Sequence, residues 1–286
     1  MKALVASVGV VVAAAVALAG AAGLPDVPRA KPAPAQRKTP PPPARTARAV
    51  PRADTAVPFR VGETLTFDVT LASYVVAGTA VTSVRERRVP DGEPAAYYIV
   101  AEGKPLPLMS RFYSLYYKMD TLLDTATLLP RRTTLYSEEG TRQRLGTTRF
   151  DRAARKAFFE RTGDGSIKTD VTVPPQVQDG LSALYAIRAS AIAAGTKLSY
   201  PIIDEGSVYT VSMQASTTER IRVPLGDIDA WKLGVNIVDS QGQPVAENVG
   251  VWISNDARRL PVRMQADLPV GSFVLALRDV RSRPAD

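Results

Sequence analysis

The chain has 286 residues, 36 Lys and Arg against 28 Asp and Glu, a formal charge of +8, and neither histidine nor cysteine. Those two absences exclude Ser-His-Asp and Cys-His catalysis, haem held by His or Cys, His-containing or thiolate zinc sites, and every disulfide. A secreted domain of this composition has to be stable through its own core, which a chain of this length can supply.

At the N-terminus Lys2 leads into residues 3–24, an Ala- and Val-rich stretch without a charge. One basic residue, an apolar core and small residues at Ala17-Leu18-Ala19 or Ala19-Gly20-Ala21 form the pattern of a secretory signal peptide over residues 1–23. The competing reading is an uncleaved anchor, because the stretch is just long enough to cross a hydrocarbon layer of about 30 Å as a helix. With no cysteine to follow the apolar core, a bacterial lipoprotein is not expected. The expected address is the periplasm or the cell envelope.

Residues 24–57 form a linker rich in proline, including Pro40 to Pro43, with seven cations: Arg29, Lys31, Arg37, Lys38, Arg45, Arg48 and Arg52. Only Asp26 and Asp54 oppose them. Such a segment holds too few apolar residues to offset its ordering entropy and favours extended polyproline II. At roughly 3.1 Å per residue it reaches on the order of 100 Å, as a tether touching anionic envelope polymers or as a solubilising spacer. Without Lys2 and the linker, the domain at 58–286 keeps 28 cations against 26 acids, so the high isoelectric point belongs to the linker. Nucleic-acid binding by the domain therefore loses its main support, a concentrated basic patch. The Arg131-Arg132 and Arg258-Arg259 pairs read as solvated strand or turn positions.

From Phe59 onward the pattern is that of strands. Leu65, Phe67, Val69 and Leu71 alternate with Thr66, Asp68 and Thr70, the period of a sheet with one buried face. Further strands are expected over 79–87, 96–102, 121–128, 131–137, 145–151, 156–161 and 166–173, then 197–203, 207–223, 229–239, 245–254, 259–268 and 272–280. Turn residues stand between them at Asp91-Gly92, Gly163-Asp164-Gly165, Gln241-Gly242 and Asn255-Asp256. The fold class is mainly β: one strongly curved antiparallel sheet, a half-barrel or barrel-like meander, with one helix packed on its concave side.

Two segments depart from the alternation. Residues 108–118, dense in aromatics, suit either a short helix or an aromatic strand. Residues 180–194 suit a helix capped by Asp179 and stopped by Gly195, on which Leu181, Leu184, Arg188 and Ile192 share a stripe. An inward Arg188 requires a carboxylate, and Glu63 and Asp256 are the candidates; the plainer readings are a side chain that reaches solvent along its own stem or a pair that merely locks the helix against the sheet. Trp231 and Trp252 fall in expected strands, as core or sheet-surface residues.

No motif declares a reaction. Neither a phosphate-binding Gly-rich loop nor a dinucleotide fingerprint occurs, and Asp164-Gly165 and Asp227-Ile228-Asp229 lack the further ligands of a calcium loop. No metal, cofactor or nucleotide is expected. Paired carboxylates are the one catalytic device left, and no spacing nominates two of them.

Three segments carry a resemblance: 58–69 (PFRVGETLTFDV), 178–188 (QDGLSALYAIR) and 251–262 (VWISNDARRLPV). In order and spacing they resemble the exported bacterial domain-of-unknown-function family numbered 3108, with Gly180 a small departure from its pattern. The resemblance implies a periplasmic or envelope-associated protein with a large curved sheet, and no activity. Three readings follow: a non-catalytic module holding an acyl chain or other apolar envelope ligand in the concave face of the curved sheet, a scaffold docking an envelope protein, and a carboxylate-dependent glycan hydrolase.

Overall fold

The computed structural model describes residues 54–71, 75–88, 95–107, 115–163, 165–268 and 271–282. The expected signal peptide, the linker up to residue 53, the Asp91-Gly92 turn, Asp164 and residues 108–114 lie outside them. Fourteen strands run in chain order: β1 (Glu63–Leu71), β2 (Val75–Arg88), β3 (Ala96–Pro105), β4 (Leu115–Asp124), β5 (Pro130–Glu139), β6 (Arg142–Asp151), β7 (Lys156–Gly163) and β8 (Ile167–Thr172). After the helix α1 (Gly180–Ala189) come β9 (Lys197–Asp204), β10 (Ser207–Val223), β11 (Gly226–Val238), β12 (Glu247–Ser254), β13 (Pro261–Leu268) and β14 (Gly271–Ser282).

All fourteen join one antiparallel sheet, in which β1 to β8 run in sequence order to one edge and β14 back to β9 run to the other. The two series meet at β1 and β14, where Glu63 pairs with Ser282. Short reversals suffice for such a meander, since antiparallel neighbours need only a tight turn. Register shifts leave extra residues in β2, β5, β10, β12, β13 and β14 that bend the strands and increase twist. The sheet curves without closing into a barrel.

The edge strands β8 and β9 meet through side chains instead of a ladder. Arg161 of β7 donates to Glu205 in the β9–β10 turn at 3.0 Å. Ala157, Val173, Val177 and Ile203 form a small apolar cluster across this seam. Gly206 has φ 84°, and a Cβ there would stand 3.3 Å from the Thr169 methyl, so the turn fits its left-handed backbone and the narrow space only as glycine.

Helix α1 links the two edges and fills the space between the halves of the sheet. Every residue from Gly180 to Arg188 is buried, the condition of a helix apolar on all sides. Leu181 and Tyr185 pack with Phe59, Val84, Ile99 and Leu123, whereas Ala183, Leu184 and Ile187 join the larger cluster of β1 and β9 to β14. The helix is a wedge between two cores, where its stripe alone suggested a one-sided contact. It also ends earlier than expected. The Ser190 amide bonds the Ile187 carbonyl and its hydroxyl bonds that of Ala186, after which the backbone is extended. Gly195 stands later, at φ 79°, where its amide continues the pairing to Ala215.

Two details qualify the sequence reading. Residues 115–118 of the aromatic segment lie in β4. Asp54 and Thr55, at the end of the expected linker, bind the domain: Asp54 accepts from Arg87 and Thr125, and the Thr55 amide bonds the Thr125 carbonyl.

Because Leu184 touches the larger core from a helix with no exposed face, Leu184→Ala is expected to lower stability by about 2–5 kcal/mol. Urea denaturation tests this, with a displaced midpoint at unchanged slope as the outcome.

Candidate functional site

The three segments singled out by sequence converge on Arg188. Its guanidinium meets Glu63 with both Nη atoms, at 2.6 and 2.9 Å, from the last turn of α1 to the first residue of β1. Two further donors reach backbone carbonyls, Nε to Arg259 at 3.1 Å and Nη2 to Arg258 at 3.2 Å. The rings of Phe59 and Tyr185 flank the cation at 5.4 and 5.2 Å. The Arg188 side chain is 0% exposed and that of Glu63 7%. Arg188 therefore does not run out to solvent.

Asp256 is not the partner of Arg188. It accepts from the Ser254 hydroxyl at 2.6 Å and from the amides of Arg258 and Arg259, and pairs with the Arg258 side chain at 3.1 Å. Burial opposes ionisation there, but the Ser254 and Arg258 hydrogen bonds prevail and hold its carboxyl below the ordinary range. Asp256 thus shapes the turn whose carbonyls bind Arg188, with Arg259 at φ 47°. The expected Asn-Asp turn and the expected ion pair are one assembly, through the backbone.

Asp179 caps α1, and its two oxygens are fully used. One accepts from the amides of Leu181 and Ser182 at 2.8 Å each, the other from the hydroxyls of Thr121 and Thr133 at 2.9 and 2.7 Å. The Ser182 hydroxyl completes a capping box. The preceding residue, Gln178, is bridged to Ile202 of β9, and Arg152 donates to the carbonyls of Pro130, Pro175 and Val177. Burial brings the Arg152 guanidinium down to about 10. Tyr185, whose hydroxyl lies by Thr82 and Arg188, is pushed by burial up to about 12 and stays neutral.

A second group was not singled out in the sequence. Asp204 and Glu205, with Asp179, line a cavity of about 20 Å³ against Thr133, Thr148 and Phe159, with room for about one water. Burial, then the charges of Glu205 and Asp179, push the Asp204 carboxyl up to about 8. The only sequence signal was an Asp-Glu-Gly between two strands, which reads as an ordinary turn; its enclosure comes from β5 to β7, far along the chain.

A third feature is an open depression of about 660 Å³ over β9 to β12. Leu198, Met213, Val235 and Val249, paired across four strands, line it together with Ser212, Asn236 and the cation Lys197. Nearby, Trp252 is buried, donates to Glu219 and lies beside Lys232 and Arg263 at 5.3 and 5.2 Å, while Trp231 donates to Asn255. Among the described residues no group of three or more acidic side chains is placed to hold a metal ion.

A family model described as "Protein of unknown function (DUF3108)" matches residues 66–278. No curated protein matches the chain. Among solved structures, the chain is similar to a β-barrel-like protein of domain of unknown function DUF1849 from Brucella abortus, with 12% identity, 79% of this chain and 99% of that one covered, and a TM-score of 0.54. That likeness is one of fold. An exported protein with YmcC-like fold from Bacteroides fragilis and a lipoprotein from Parabacteroides distasonis, as their names describe them, each give a TM-score of 0.32, at 12% and 11% identity. Each covers 80% of this chain and 100% of its own.

Removing one member of the central pair leaves an uncompensated buried charge. Arg188→Met is expected to cost about 3–5 kcal/mol, and adding Glu63→Gln to recover part of that loss. Denaturant midpoints of the two variants check this, and a loss below about 1 kcal/mol for Arg188→Met would refute it.

Proposed function

The chain belongs to the DUF3108 family of proteins of unknown function, and on that footing we propose that it is an exported cell-envelope protein that binds an amphiphilic, lipid-like ligand without transforming it. Export rests on the Lys2-led apolar stretch and the cationic proline-rich linker behind it. The observation that carries ligand binding is the depression over β9 to β12. Its volume of about 660 Å³ falls in the range of small-molecule sites, and its lining combines an apolar cross-strand row with neutral hydrogen-bonding groups and the cation Lys197. Absence of turnover is supported by the commitments of the nominated carboxylates. Glu63 serves Arg188, Asp179 serves the helix cap and two threonines, and Asp256 serves a turn. None of the three is left free for acid or base work of the glycosidase kind.

A docking scaffold is the second reading, favoured by α1. A helix buried along its length occupies the space that the sequence assigned to an acyl chain, so a ligand would have to lie outside that space.

Native mass spectrometry of the exported chain, purified without harsh detergent and followed by solvent extraction, distinguishes the two. A stoichiometric co-purifying amphiphile is the expected outcome. A clean protein mass, unchanged when acyl lipids are added, would overturn ligand binding and leave the docking reading.

A further inference from the structure

Strand alternation divides the lining of the depression over β9 to β12. Met213 is buried, and Leu198, Val235 and Val249 pack against the same core cluster, so the apolar row underlies the floor. The residues between them stand exposed on the opposite face. They form two rows in register across three strands, first Lys197, Gln214 and Gly234, then Ser199, Ser212 and Asn236. Each side chain in these rows can donate a hydrogen bond, through an ammonium, a carboxamide or a hydroxyl. No Asp or Glu lines the depression, and its remaining polar side chain, Asn248, is engaged with Asp267.

Gly234 leaves the centre of these rows open. No heavy atom stands within 4 Å of the place its Cβ would take, whereas at Gly250, its partner on β12, that place is filled by the Trp252 ring at 2.9 Å. A second depression, of about 420 Å³, continues past Gln214 and Gly234 and adds Lys232. The acid it contains, Glu219, is held by the Trp252 indole. From ordinary strand spacing and rise, Lys197 stands about 10 Å from Gly234 across the sheet and Lys232 about 7 Å from it along β11. Two flexible four-carbon stems can close those distances on one group standing over the glycine. Two cations and several neutral donors around an unfilled position complement an anion with many acceptor oxygens. A phosphate monoester brings three such oxygens and roughly −1.5 to −2 charge, where a carboxylate brings two oxygens and a single charge. A headgroup bearing an amine would instead face two like charges.

We propose that this depression receives the phosphate monoester headgroup of an amphiphile, seated over Gly234 between Lys197 and Lys232. The assignment rests on the amphiphile reading above and adds the class of headgroup. The apolar row beneath the sheet surface keeps the floor rigid, and the two polar rows and two lysines select the ligand.

The test is titration calorimetry of the full chain with monopalmitoyl glycerol phosphate, monopalmitoyl glycerol and palmitic acid, each below its micellar concentration. The three share one acyl chain and differ at the headgroup. The phosphate compound is expected to bind about ten- to a hundredfold more tightly than the neutral one, as charge-assisted hydrogen bonds require. Because the linker's seven cations attract any anion, the variants keep the linker unchanged. Lys197→Gln is expected to lower the preference for the phosphate about tenfold. Gly234→Leu, which fills the open position, is expected to abolish binding of the phosphate compound without moving the urea midpoint. Equal affinity for all three compounds, or palmitic acid bound as tightly as the phosphate, would overturn the headgroup and leave amphiphile binding in place. A preference that survives both variants belongs to the linker and would overturn the site. Binding of none of the three would overturn both readings.

Discussion

A guanidinium with no exposed atom is the constraint on which the rest of this structure depends. Taking a cation out of water costs several kcal/mol unless a counter-charge and full hydrogen bonding meet it. Here the counter-charge comes from the start of β1 and the remaining hydrogen bonds from the turn before β13, while the cation itself rides the last turn of α1. Three stretches far apart in sequence have to be in place together for that burial to be tolerable. The pair thus specifies position more than it adds stability, because an apolar substitute would fill the space without demanding the same partners.

The capping of α1 applies the same logic at its other end. Asp179 holds the helix start to Thr121 of β4 and Thr133 of β5, and Glu63 with the 258–259 carbonyls holds its finish. Fixed at both ends, the helix separates one apolar cluster from the other and ties the first eight strands to the last six. The sheet need not close on itself because the helix does the closing. What is left over is a seam of few contacts, with the acidic turn at its centre, and a shallow depression on the other half of the sheet. Those two places, and not the filled centre, are where the fold leaves freedom for binding and for movement.

Much of the architecture was legible in the alternation. The strand expected at Leu65 to Leu71 and the long one at 207–223 stand as β1 and β10, and Asp179 announced its helix through a side chain suited to capping. The site was only half legible. Arg188 declared itself as a cation on an apolar stripe, and Glu63 was one of its two candidates; Asp256 had the right chemistry but lay in a turn that consumes its oxygens. Asp204 gave no sign, since a carboxylate in a hairpin turn is ordinary until another part of the sheet encloses it. The end of α1 was also misplaced, because Ser190 turns its hydroxyl back on the helix before Gly195 is reached.

The sequence by itself determined composition, strand periodicity, the cap and the family, because these are recorded in neighbouring residues and survive reading along the chain. Only the tertiary structure decided which carboxylate Arg188 meets, that the helix is a wedge between two cores, that the sheet stays open, and that Asp204 stands with Asp179 at one small cavity. Each of those depends on contacts across tens to hundreds of residues, 125 positions in the case of Glu63 and Arg188. Burial and charge pairing are properties of such contacts, and no local pattern encodes them.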